Sequence, residues 1–156
     1  MNSRQSSVIM CLATGCFVGN IAFAPGTFGS IAGLFLCFLF SAINPSIAII
    51  GILLLIISAI WISDKAEKII GTKDPGCIVI DEIAGIAVTL AGLPFTFTYV
   101  AAGFFILRIL DILKPFPIRT FERKFSGGAG IVLDDVAAGI IGNIVLRIIF
   151  YLSDKF

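Results

Sequence analysis

Hydrophobic residues run along this chain in long blocks, and the polar residues fall between the blocks rather than among them. Residues 28–43, 46–63, 78–93, 96–113 and 131–152 are dominated by Ile, Leu, Val, Phe and Ala. Runs of this length predict helices, most of them close to the ~20 residues that cross a bilayer core. The breaks carry turn chemistry: Asn44-Pro45 parts the first two blocks, Pro94 ends the third, and Pro115 with Pro117 ends the fourth. Proline has no N–H to donate and blocks continuation of a helix. Residues 8–24 are less apolar and broken by Gly15, Gly19 and Asn20. They predict a short helix or re-entrant segment leading into the tight loop Pro25-Gly26-Thr27-Phe28-Gly29-Ser30, where Thr27 or Ser30 can cap the helix that follows. The expected fold is all-α: a polytopic transmembrane helix bundle of about four to five membrane segments, forming one domain over residues 1–156. The block at 78–93 is short for a full crossing.

Composition strengthens the membrane reading. Of 156 residues 58% are hydrophobic and 13% charged, where a soluble domain has about 25% charged residues. Mean hydropathy is +1.09, and no charged residue stands between Arg4 and Asp64. Arg4 is the lone early charge and the apolar sequence runs on past any signal-peptide core, so the whole chain reads as mature protein. A net charge of +1 with no basic stripe argues against a nucleic-acid partner. The four cysteines form no CxxC pair and read as apolar packing. The absence of histidine removes imidazole acid–base catalysis, imidazole metal ligation and phosphohistidine chemistry together.

Two loops hold most of the charge. Residues 64–77 contain Lys65, Glu67, Lys68, Lys73 and Asp74; in residues 114–130, Lys114, Arg119, Arg123 and Lys124 outnumber Glu122. If both are cytoplasmic, as basic loops prefer, five crossings follow, with the N-terminus inside and the C-terminus outside. The helices over 78–93 and 131–152 then both start from the cytoplasmic face.

Those two starts match each other. Ile78-Val79-Ile80-Asp81-Glu82-Ile83-Ala84 and Ile131-Val132-Leu133-Asp134-Asp135-Val136-Ala137 each set two adjacent carboxylates in an apolar run, with glycine just before. The topology brings both acidic pairs to one depth. Adjacent helical residues point about 100° apart, so one member of each pair is expected to face the bundle and the other the loop. Carboxylates gathered at one depth repel unless a cation intervenes, and a hard, oxygen-seeking ion such as Mg²⁺ meets that need. The matched stretch is short, and chance or a shared packing need also accounts for it.

Arg108, Asp111 and Lys114 follow at i, i+3 and i+6, a spacing that keeps Arg108 and Asp111 on one helix face. Charges inside apolar segments are functional hypotheses by default, the alternative here being a salt bridge that only orients helices. The second loop joins prolines, cations and the run Gly127-Gly128-Ala129-Gly130. Its cations suit phosphate oxygens, and glycine leading into a helix leaves N–H groups for an anion. Carboxylates, cations and glycine at one membrane face point to a metal-assisted reaction on a phosphorylated, lipid-linked substrate. Neither a Cys-x5-Arg, an Asp-x-Asp nor an Asp-Gly sequence occurs, which sets aside cysteine phosphatases, haloacid-dehalogenase chemistry and CDP-alcohol phosphotransferases. The competing class is an ion- or proton-coupled transporter, which also uses intramembrane carboxylates and repeated segments but places them near mid-membrane. A structural subunit whose charges lock helices together is a third reading.

Four blocks resemble the phosphatidylglycerophosphatase A family: the Pro25–Ser30 loop, residues 78–82, residues 108–119 and residues 127–139. The resemblance implies a bacterial inner-membrane, Mg²⁺-dependent hydrolase with its active site on the cytoplasmic face, converting phosphatidylglycerophosphate to phosphatidylglycerol and phosphate. Carried over, it implies Asp81, Glu82, Asp134 and Asp135 as metal ligands, with Glu67 and Asp111 as further candidates. Lys114, Arg119, Arg108 and Arg123 become phosphate holders, and the loop from Thr27 to Ser30 closes the site. Attack by a metal-activated water and an aspartyl-phosphate intermediate both remain open, as do oligomeric state and acyl-chain preference.

Overall fold

The structure, a computed structural model, describes residues 3–153, without the side chains of 121–123. Among the described residues it contains seven α-helices and no strand: α1 (Ser3–Ala13), α2 (Pro25–Ser41), α3 (Pro45–Ile70), α4 (Ile80–Thr89), α5 (Phe97–Leu113), α6 (Ile118–Lys124) and α7 (Gly128–Ser153), with a short 3-10 turn at Val18–Asn20. The all-α expectation is met.

Local chemistry sets the boundaries. Asn44 caps α3, its Oδ1 accepting the Ser46 N–H at 2.9 Å with Pro45 in the first turn, and Gly71 ends the helix at φ 78°, where the missing Cβ removes the usual penalty. The helix therefore runs through Asp64, Lys65, Glu67 and Lys68, which the charge pattern had placed in a loop. Because those charges sit on α3's last two turns, they are positioned rigidly. α7 starts at Gly128, where a side chain would collide with the Ile60 carbonyl of α3 and with Asp64. α5 stops at Lys114 in the left-handed region, just before Pro115.

α4 stands at the centre. Its residues Ile80, Asp81, Ala84, Gly85, Ile86, Ala87 and Thr89 are buried, and it packs on α7, α2, α3 and α5. With 10 residues it is about 15 Å long, half of a bilayer core. The carbonyls at its end and just beyond it are satisfied from α7. Asn143 Nδ2 donates to the carbonyls of Thr89 (2.9 Å) and Ala91 (3.0 Å), and Arg147 Nη2 to Ala91 (3.0 Å). Glycine lets the two helices close: a Cβ on Gly139 would stand 2.6 Å from the Gly85 carbonyl, and one on Gly85 3.2 Å from that of Asp135.

The outer surface is apolar. Phe35, Ile50, Leu54, Ile57, Trp61 and Ile148 are each more than half exposed. Two helices, Pro45–Ile70 and Gly128–Ser153, are long and apolar enough to cross a membrane, and Pro25–Ser41 is apolar but shorter.

Candidate active site

The acidic pairs meet where the first turn of α4 packs against α7, about two turns from the start of that helix. α4 starts against α1, the Val79 N–H donating to the Ala13 carbonyl at 2.9 Å, and so its first turn places Asp81 and Glu82 inside the bundle. Asp81, Glu82 and Asp135 each bring a carboxylate oxygen to one spot, all within 4.8 Å of one another. The divergence expected of neighbours does not separate the carboxylate oxygens of Asp81 and Glu82. Asp111 of α5 joins from the side, its carboxyl group within hydrogen-bonding reach of Asp135.

Two cations face this cluster. Arg108 Nη1 lies 2.9 Å from Asp111 Oδ2, both side chains 17% exposed. The contact is one of charge rather than an aligned hydrogen bond, for Arg108 Nη1 and Nε are both buried without a hydrogen-bond partner. Lys114 Nζ reaches Asp134 Oδ2 at 2.7 Å, and Asp134 Oδ1 accepts the Asp135 N–H at 3.1 Å. Asp134 is thus turned to Lys114 and lies outside the convergent trio.

The Pro25–Ser30 loop is the first turn of α2 and forms a wall of the site. A Cβ on Gly26 would run into Glu82 Oε1 and stand 3.1 Å from Arg108 Nη1. Ser30 is fully buried and spends its hydroxyl on the Gly26 carbonyl at 3.0 Å, so it holds the turn rather than facing the cluster; Thr27 is half-buried. Gly26 is a residue that side-chain chemistry could not single out, since its contribution is the absence of a Cβ.

The other candidates lie apart. Glu67 accepts the Asp74 N–H at 3.0 Å and lines a pocket with Lys73, Asp74, Ser126 and Gly127. It is absent from the acidic trio. Arg119 is exposed on α6, and the side chain of Arg123 lies outside the described residues.

The donor set fits a hard cation. Asp81 Oδ1 and Glu82 Oε2 are buried with no hydrogen-bond partner, and leaving a buried carboxylate oxygen unsatisfied is costly. Five carboxylates (Asp81, Glu82, Asp111, Asp134 and Asp135) stand with two cations, Arg108 and Lys114, an imbalance that a divalent ion among the oxygen ligands would offset.

The chain was then compared with known proteins. The model of the family described as phosphatidylglycerophosphatase A matches residues 11–150. A phosphatidylglycerophosphatase A of Escherichia coli is 39% identical over 147 residues, covering 94% of this chain and 86% of the relative. That of Haemophilus influenzae is 40% identical over 145 residues, covering 92% and 89%. A Bacteroides thetaiotaomicron protein, provisionally named as a phosphatidylinositol-3-phosphatase, is 36% identical over 153 residues, covering 93% and 95%. No solved structure matches the chain. A match along nearly the whole length, with the site's own residues inside it, places the chain in the phosphatidylglycerophosphatase A family.

Proposed function

We propose that this protein hydrolyses the phosphate monoester of phosphatidylglycerophosphate, giving phosphatidylglycerol and inorganic phosphate. The observation that carries the reading is the convergence of Asp81, Glu82 and Asp135 beside the partly unpartnered guanidinium of Arg108. Family membership supplies the substrate. The relative from Bacteroides thetaiotaomicron bears the name of an activity on a different phospholipid monoester, so the shared chemistry is removal of a terminal phosphate from a lipid headgroup.

Asp81, Glu82 and Asp135 would hold Mg²⁺, with Asp111 beside them. When bound, the ion supplies Lewis-acid polarisation of a phosphoryl oxygen and a water of lowered pKa. Arg108, with Nε free of protein partners, donates to the equatorial phosphoryl oxygens, where charge held by fixed donors lowers the barrier. Lys114, steadied by Asp134, meets the headgroup phosphate as a point charge, and Arg119 and Arg123 on α6 add to the field that draws an anionic headgroup in. Gly26, by carrying no side chain, leaves room for the Glu82 carboxylate beside Arg108. Cleavage breaks the bond between phosphorus and the glycerol oxygen; water furnishes the new oxygen on phosphorus and the proton that the glycerol oxygen takes up.

The protein sits in the bacterial inner membrane as one domain of four to five membrane segments, its carboxylates near the cytoplasmic face. The apolar outer surface and the two long apolar helices support this placement. Asp81 and Glu82 in the first turn of α4, with Asp134 and Asp135 within about two turns of the start of α7, favour an interfacial enzyme over a transporter with a mid-membrane site.

Purified protein in detergent, given phosphatidylglycerophosphate with Mg²⁺ or with EDTA, tests the reading. Phosphate release with Mg²⁺ and its loss in EDTA are expected. Absence of release with metal sinks the activity, unchanged release in EDTA sinks the metal, and faster release from phosphatidylinositol 3-phosphate would reassign the substrate.

A further inference from the structure

Away from the acidic cluster, α1 and α3 enclose a second pocket of about 420 Å³, lined by Arg4, Val8, Ile9, Leu12, Trp61 and Lys65. Ile9 and Ala13 anchor α1 on Ala59, Ile62 and Ala66 of α3. Beside Gln5, which also lines the pocket, three large apolar side chains face outward: Val8 is 59% exposed, Leu12 46% and Trp61 56%. Arg4, Val8 and Leu12 stand at i, i+4 and i+8, and Trp61 and Lys65 at i and i+4, so each helix presents one stripe to the pocket. On each stripe a cation stands one turn from an apolar residue. Neither Arg4 nor Lys65 forms a side-chain hydrogen bond or ion pair among the described residues.

We infer that this pocket binds an anionic phospholipid, its headgroup phosphate between Arg4 and Lys65 and an acyl chain along Val8, Leu12 and Trp61. The match is one of both charge and order: two cations with no ion pair among the described residues border a contiguous apolar strip, as a headgroup borders its chain. Tryptophan favours the level of the headgroups, and cations at that level draw anionic lipids. A soluble ligand would leave the apolar strip uncovered, and a zwitterionic lipid would leave the two charges uncompensated. The inference rests on the membrane placement proposed above. It concerns a site separate from the carboxylates, although α1 touches the start of α4 through Ala13 and Val79.

Trp61 is the one tryptophan in the sequence, which makes it a built-in reporter. The full chain is reconstituted in phosphatidylcholine vesicles carrying equal mole fractions of brominated phosphatidylglycerol or brominated phosphatidylcholine, and Trp61 fluorescence is followed. Brominated phosphatidylglycerol should quench about twofold or more more strongly at the same mole fraction. Unbrominated phosphatidylserine and phosphatidylglycerophosphate should each relieve that excess quenching. The Arg4→Gln/Lys65→Gln double variant, with helicity by circular dichroism unchanged, should quench equally with both lipids. Equal quenching of the unaltered protein overturns the proposal, as does a preference that survives the double substitution. Relief by phosphatidylglycerophosphate alone overturns it in favour of a substrate-specific site. Fluorescence untouched by either brominated lipid refutes the membrane placement itself and the pocket's occupant with it.

Discussion

Asp134 and Asp135 are neighbours with opposite attachments: Asp135 joins Asp81 and Glu82, whereas Asp134 grips Lys114. Their substitutions should therefore fail differently. Asp81→Asn and Asp135→Asn should each lower turnover by about 100-fold or more and weaken Mn²⁺ binding, read by electron paramagnetic resonance on the purified protein. Asp134→Asn should retain the Mn²⁺ signal while raising KM for the lipid, because it frees Lys114 rather than removing a ligand. Equal loss of Mn²⁺ binding in all three would return Asp134 to the ligand set. Gly26→Ala makes a stricter test, since the new methyl lands on the Glu82 carboxylate. Mn²⁺ affinity should fall with melting temperature nearly unchanged. Which carboxylates were candidates for a site was legible in the sequence, because charge in an apolar run is conspicuous. Which of them converge was not, because that depends on side-chain reach and on the helix opposite.

At the level of elements, α4 is too short to cross a bilayer and ends among other helices. The carbonyls at its end and in the turn that follows accept from Asn143 and Arg147, as unsatisfied backbone in apolar surroundings demands. Asn143→Ala should destabilise the protein by about 1–3 kcal/mol, the cost of buried acceptors left unpaired, seen as a lower midpoint in thermal or detergent unfolding. Gly139→Ala forces a methyl to within 2.6 Å of the Gly85 carbonyl and should push α4 from α7, lowering both stability and activity. The hydrophobic blocks located α2, α3, α5 and α7 well, and Pro94 marked the end of the third block. That block's helix nevertheless stops at Thr89, since its last residues turn to meet α7 rather than extend. Asp64 to Lys68 read as loop because they are charged, yet they belong to α3: helix geometry continues to the glycine that can terminate it.

For the whole molecule, the proposed topology puts the 71–77 and 114–127 segments in the cytoplasm and the 42–44 turn outside. In a variant lacking the native cysteines, Lys73→Cys should react with a membrane-impermeant thiol reagent only in inside-out vesicles, and Asn44→Cys only in right-side-out ones. Labelling of both from the same side would overturn the arrangement of α3.

Sequence alone determined the helical class of the molecule and singled out the candidate charges of its site, because hydrophobic block length reports on the solvent and charge within such blocks is conspicuous. The all-α architecture, the two acidic pairs, the facing cations and the family were all readable along the chain. Tertiary structure decided the grouping: Asp81, Glu82 and Asp135 together, Asp134 with Lys114, Glu67 apart, and Gly26 as the gap against Glu82. Those assignments depend on distances between helices remote in sequence, set by glycine contacts and by carbonyls that needed partners, and no one-dimensional pattern records them.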